Sequence, residues 1–198
     1  EPSLKAIGRW PWSRIILADL VRRLAEAGAP IIAFDVLFNE PEPGPERQVV
    51  ERLARSDSAK SLDPRVRGAL EKMARDNSPD ATFAEAIRES GRVVLASNFV
   101  LESTPPTAAP ERQGSPRKGF VGAFRNIKDR GLFPPIHGVQ EFFPVPPLLE
   151  AATAVGHTNM LAESDGSTRY EALLIESRGY YYPSLALEAV RGALGPWL

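Results

Sequence analysis

Between Ser13 and Gly28 the apolar residues Ile16, Leu17, Leu20, Val21 and Leu24 recur at intervals of one, three and four, the spacing of one helical face. Ser13 is a good N-cap, Gly28 supplies the stop and Pro30 lies just beyond it. Asp19 with Arg23, and Arg22 with Glu26, stand four apart on the polar side of the same helix. "IIAFDVLF", Ile31 to Phe38, follows at once and is nearly continuous in apolar residues. That pattern predicts a strand covered on both faces.

The pattern then alternates. Helices are predicted from Glu46 to Arg55 and, with Asp63 as cap and Pro64 at the first helical position, to about Arg75, with "SDSAKS" between them. "SPDATFAEAIRESG" reads as a capped helix with Phe83, Ala84 and Ile87 inward, and "RVVLASNFV" as a second buried strand. Helix then strand, twice over, points to parallel pairing through crossover helices. From Glu102 to Lys118 the composition turns to Pro, Thr, Ser and charge, an exposed loop. "GFVGAF" reads as a short strand and "NIKDRGLFPPIHG" as another loop. Pro146 and Pro147 introduce a short helix through Leu148, Leu149 and Ala152. "VGHTNML", "RYEALLIES" and "GYYYPS" read as strands, the middle one antiparallel to a neighbour through a turn at Arg178-Gly179. A last helix begins at Ser184. The expected fold is a single α/β domain with a mixed, largely parallel central sheet flanked by helices.

Composition narrows the function classes. A chain of 198 residues, 43% hydrophobic and 25% charged, is long enough for one well-buried core and short for two domains. A net charge of -1 supplies no phosphate-neutralising field, so nucleic acid is not an expected partner. The absence of cysteine excludes disulfides, thiol catalysis and cysteine-ligated zinc. The apolar runs fall far short of the ~20 residues needed to cross a bilayer, and no signal peptide is recognisable. The chain opens abruptly at Glu1-Pro2-Ser3 and stops at Gly195-Pro196-Trp197-Leu198, which leads us to expect flanking segments outside it.

Few residues carry obvious chemistry. The dinucleotide, P-loop and nucleophile-elbow glycine motifs are missing. The two histidines, His137 and His157, lack partners at ligand spacing, so hydrogen-bonded or exposed histidines are expected rather than a metal site. "LAESDGSTRYEA" superficially suggests a calcium loop, but that alignment puts Leu161 at position one and Ala172 at position twelve, where a carboxylate is required. Asp165-Gly166 is better read as a turn. Asp35 stands out, because a carboxylate inside an apolar strand needs a partner. Two readings stay open for it: a functional group at the C-terminal strand ends, where open α/β sheets bind ligands, or a structural pair with Arg14 or with backbone N–H groups. Arg169 is a second candidate partner. Trp10 and Trp12 just before the Ser13 cap are read as packing, and Tyr180, Tyr181 and Tyr182 as core and edge residues that alternate along a strand.

"IGRWPWSR", "GAPIIAFDVLFNEP", "DATFAEAIRESGRVVLASN", "PLLEAATAVGHTNM", "SDGSTRY" and "SLALEAVR", in this order, span nearly the whole chain. Together they resemble the type-two CHASE domain, the second class of cyclases/histidine kinases associated sensory extracellular domains. The resemblance implies an extracytoplasmic sensor of bacterial receptors, bounded by membrane helices outside this chain. Cyclases, histidine kinases, Ser/Thr kinases and diguanylate-cyclase or phosphodiesterase modules are the implied outputs. Relatives usually carry an apolar strand ending in Ile-Asp just before the position of Glu1. Residues 46–77 and 102–138 are longer than the family usually has, and are candidates to cap a pocket or mediate contacts. Arg14, Asp35, Asp165 and Arg169 fall on matching positions.

The leading expectation is a non-catalytic, cofactor-free sensory domain that passes on a conformational or dimer-geometry change. Its partners would be a small-molecule or envelope ligand, the membrane through the flanking helices, and a second copy in a homodimer. The candidate polar cluster is Arg14, Asp35, Asn98, His157, Asn159, Asp165 and Arg169, with the switch crevice near Asp35, Asn98 and the Asp165-to-Arg169 turn. A rival is a small α/β enzyme using Asp35, or Asp165 with His157, as acid and base. A third reading is a purely structural dimerisation module.

Overall fold

The computed structural model describes residues 8–44, 78–102, 136–161, 165–168 and 170–195, with residue 5 and residues 63–66, 68, 69 and 72. Helix α1 runs Arg14–Glu26, and the Ser13 hydroxyl accepts the N–H of Ile15. Its buried face is Arg14, Leu17, Ala18 and Val21, while Ile16 and Leu24 of the expected apolar stripe are exposed. Gly28 ends the helix region with φ +83°, a backbone conformation that an L side chain rarely adopts. Helix α2 runs Pro79–Ser90 between the Ser78 cap and Gly91 in the left-handed conformation, and buries Phe83, Ala84 and Ile87 as expected. Of the helix expected from Asp63, residues 64–66, 68, 69 and 72 are helical, and the Asp63 carboxylate accepts the N–H of Arg65. The helix expected over 46–55 and the strand and loops expected between 103 and 135 lie outside the described residues.

Strand β1 is Ile32–Phe34, far shorter than the apolar run "IIAFDVLF" predicts. Among the described residues it pairs with β2 alone, and Ala33 is exposed, so it is not covered on both faces. Ile32 and Phe34 face α1 and α2, where Phe34, Phe38 and Phe83 meet edge to face at centroid distances of 5.3, 5.6 and 6.0 Å. The long strand β2, Val93–Leu101, organises the sheet. Its first half lies between β1 and β4 (Ala154–His157), both parallel to it. Its second half pairs antiparallel with β3, Ile136–Phe142.

Strand β3 begins inside the stretch whose composition predicts a loop, and the reason for the difference is visible in its residues. "IHGVQEF" lacks apolar alternation, and an extra residue, Val139, bulges between the Val100–Gln140 and Leu101–Gly138 pairs. Gly138 lies where a Cβ would come 2.8 Å from the Phe99 ring. Strand β5, Leu174–Ser177, runs parallel to β3 and antiparallel to β6, Tyr180–Pro183. The hairpin between them turns on Arg178 and Gly179, with φ 52° and 78°, the positive pair of a two-residue turn. Tyr180 and Tyr182 are buried and Tyr181 is half-buried, the alternation expected. The result is the mixed, helix-flanked sheet the pattern predicts, with six strands among the described residues and β4 placed beside β2 off the main strand order.

Side-chain alternation splits the sheet into two faces. Odd-numbered β2 residues and Val155 pack against α1, α2 and α3 (Pro146–Ala151). Helix α4, Leu185–Leu194, covers the other face: a Cβ at Gly156 would lie 2.5 Å from Leu185 Cα, and one at Gly192 would lie 2.6 Å from Ile31. Glu188 is the one residue of α4 that is buried, and its carboxylate accepts from Arg191 at 2.6 and 3.1 Å. Before α1, the Trp12 indole packs partly buried on the core and donates to the Gly8 carbonyl at 3.1 Å. Trp10 meets it edge to face at 5.8 Å but is 52% exposed.

Candidate functional site

β1 and β4 flank β2 in parallel, so their C-terminal ends open on the same side of the molecule. The chain leaving β1 delivers Asp35 there, and the chain leaving β4 delivers His157, Thr158, Asn159 and Met160. Facing them are Leu185, Ala186 and Ala189 on the first turns of α4, and Thr168, Tyr170 and Glu171 from the segment before β5. These groups, with Ala33, line an open cavity of about 380 Å³. A crevice beyond the carboxyl ends of parallel strands is the common ligand position of open α/β sheets.

Asp35 does not have the buried partner that an apolar strand interior would require. It lies just past the end of β1, exposed, and forms no hydrogen bond or ion pair among the described residues. β1 stops at Phe34, so the carboxylate stays hydrated and desolvation never demands compensation.

Arg14, one of its proposed partners, is engaged elsewhere. Its guanidinium pairs with Asp80 and donates to the Glu40 carbonyl, and it sits over the Phe38 ring, 5.4 Å from the centroid. The Arg14 N–H donates to Glu42 at 2.7 Å, and the Glu42 N–H donates to Asp80 at 3.2 Å. Burial works against the charged guanidinium and lowers its pKa, while the Glu42 charge opposes that. Arg14 therefore knots the chain around residues 40–42 to the starts of α1 and α2, and it does not line the cavity.

Asn159 is a backbone clamp. Its Oδ1 accepts the Phe99 N–H at 2.9 Å and its Nδ2 donates to the Phe99 carbonyl at 2.6 Å. Where β4 ends, this side chain continues the ladder along the same edge of β2. Asn98 is linked to it by a long contact of 3.4 Å, and does not itself line the cavity. Asp165 accepts the Ser167 N–H at 2.9 Å and its hydroxyl at 2.5 Å, an exposed Asx turn beside Gly166 at φ 78°. That is the turn expected, and it stands apart from the cavity lining. Arg169 lies outside the described residues.

The histidines divide. His137 is buried and its Nδ1 pairs with the Glu176 carboxylate, the hydrogen-bonded state expected. His157, 1% exposed, departs from expectation: neither ring nitrogen has a partner among the described residues. Its ring meets Phe99 edge to face at 6.4 Å, and its in-register neighbour Ser97 also has an unpartnered hydroxyl. Burial pushes the imidazole down to about 4, so it is neutral at ordinary pH. Among the described residues no group of three or more His, Cys, Asp or Glu side chains is placed to hold a metal.

Of the seven expected cluster residues, Asp35, His157 and Asn159 meet at the cavity. Sequence reasoning missed Tyr170, Glu171 and the face of α4 that closes it, because "RYEALLIES" reads as one strand whereas β5 begins only at Leu174. It also missed Asp80, whose sequence signal is no more than an acidic residue in a first helical turn. No helix among the described residues is long and apolar enough to cross a membrane.

No curated protein and no solved structure matches the chain. The family model of the CHASE2 domain matches residues 1–196, the resemblance carried by the ordered motifs from the tryptophan turn to the last helix. The chain belongs to the CHASE2 domain family, extracellular sensory domains of signalling proteins.

Proposed function

We propose that this domain senses a small-molecule or envelope ligand in the cavity at the ends of β1 and β4. Binding there would move α4 relative to the sheet and so signal to a cytoplasmic output of the cyclase, histidine kinase, Ser/Thr kinase or diguanylate-cyclase class. The single observation that carries the reading is that one cavity is bounded both by fixed strand ends and by Leu185, Ala186 and Ala189 of α4. A ligand with different affinity for two positions of α4 shifts their populations without any chemistry. Val190 and Leu194, 50% and 64% exposed on the same helix, support transmission through a homodimer. The enzymatic alternative that pairs Asp165 with His157 draws less support: Asp165 is not among the described lining residues, and both ring nitrogens of His157 are enclosed in the core. On this reading the domain works on the extracytoplasmic side of a bacterial membrane.

The test is thermal unfolding against a panel of small metabolites, ions and envelope components, run on the chain and on Ala186→Trp. Ala186 is exposed at the cavity, so an indole there fills the space without disturbing the core. A compound that raises the midpoint of the wild-type chain and not of Ala186→Trp supports the reading. Stabilisation by the panel that is equal in both chains, or none in either, refutes it.

A further inference from the structure

The charge of the cavity selects among ligands. Two carboxylates line it, Asp35 and Glu171, and neither forms a hydrogen bond or ion pair among the described residues. None of the described lining residues is lysine or arginine. The lining histidine adds no compensating charge, because burial keeps it neutral above about pH 4. The remaining surface is largely apolar, with Met160, Leu185 and Ala189 around the space and the exposed Tyr170 ring at hand.

Resting on the sensory reading of this cavity, we infer that it takes a small organic cation: an ammonium group held by Asp35 and Glu171, with its hydrocarbon body against Met160, Leu185 and Ala189. An inorganic divalent ion fits less well, since such ions collect six or more oxygen ligands and gain nothing from an apolar wall. An anion would meet two unpaired carboxylates, and like charge is unfavourable there. The Tyr170 face offers a cation the further attraction of an aromatic quadrupole.

The experiment titrates the 198-residue chain at low salt with butylammonium, butyrate, butan-1-ol and calcium chloride, reading affinity by calorimetry or ligand-observed NMR. The chain, Asp35→Asn, Glu171→Gln and Ala186→Trp are compared. Butylammonium should bind most tightly, lose about fivefold in each neutralised variant, and fail to bind Ala186→Trp. Equal or tighter binding of butyrate or butanol, abolished in Ala186→Trp, overturns the cation assignment while leaving the cavity as the sensory site. Calcium binding that needs the carboxylates and ignores Ala186→Trp overturns it in favour of a surface ion. Binding of none of the four also overturns it, and the wider thermal panel then decides the cavity reading by itself.

Discussion

Arg14 and Asp80 form an ion pair buried between the first turns of α1 and α2, far from each other in sequence and both nearly closed to solvent. The pair also fixes residues 40–42, through the Glu40 carbonyl and the Glu42 N–H. Removing one partner leaves a buried charge uncompensated, a loss on the order of 3–5 kcal/mol. Arg14→Ala and Asp80→Ala should each destabilise the chain by about that amount in denaturant titrations. The double replacement by apolar residues should cost less than either single change.

His157 makes the chain acid-sensitive. Its imidazole is lowered from the ordinary 6.5 to about 4 by burial, so the unfolded chain takes up a proton that the folded one refuses. Stability from this group is complete above pH 6.5 and falls as the pH drops toward 4. Between neutral pH and pH 5 the loss is about 2 kcal/mol. Glu188 acts with the opposite sign: burial raises its carboxyl, so protonation on acidification favours the fold. The comparison that isolates His157 is His157→Phe, which should flatten the acid limb of the stability curve. At neutral pH it should keep or raise stability, since it removes two unpartnered nitrogens. An unchanged acid limb in that variant would exclude His157 as its source.

Gly156 is required by close approach. Its φ is ordinary, but a Cβ there would lie 2.5 to 2.7 Å from backbone atoms of Ser184 and Leu185, which no side-chain rotation relieves. Gly156→Ala should therefore push α4 off the sheet, costing about 1–3 kcal/mol or more. Amide hydrogen exchange should show the loss concentrated in α4 and β4, with α1 and α2 little changed.

Asn159 should matter to stability more than to charge. It satisfies both the N–H and the carbonyl of Phe99, a buried residue at the heart of β2. Asn159→Ala leaves both backbone groups unpaired and should cost about 1–3 kcal/mol for each group that water does not reach. Asn159→Asp retains an acceptor for the N–H and opposes the carbonyl, so it should not restore the wild-type midpoint.

What the sequence made legible were features with a local cause. Ser13, Ser78 and Ser184 each mark a helix start where their hydroxyls accept an N–H, and Arg178-Gly179 marks a hairpin whose positive φ values it supplies. What stayed hidden depends on the neighbours a residue acquires. "IIAFDVLF" gives no sign that pairing ends at Phe34, yet that ending turns Asp35 from a buried carboxylate into an exposed one. "IHGVQEF" becomes a strand because β2 and β5 offer edges to it, not because of its own pattern. The cavity was half legible: the strand-end rule placed Asp35 near it, whereas α4 supplies its other wall by folding back over β4.

Asp35 gives the sharpest contrast between the two open readings of a carboxylate. A structural Asp35 would lose stability on truncation, as a buried acid losing its partner does. An exposed Asp35 without hydrogen bonds or ion pairs among the described residues has nothing of that kind to lose. Asp35→Ala should leave the unfolding midpoint within the range of ordinary surface changes, about 0.5 kcal/mol. The same variant should weaken any cavity ligand that the wild-type chain binds, because its carboxylate is one of the polar groups available to orient that ligand. Unfolding midpoints measured with and without ligand read both effects in one titration. A large loss of stability in the ligand-free variant would return Asp35 to a structural role and remove it from the site.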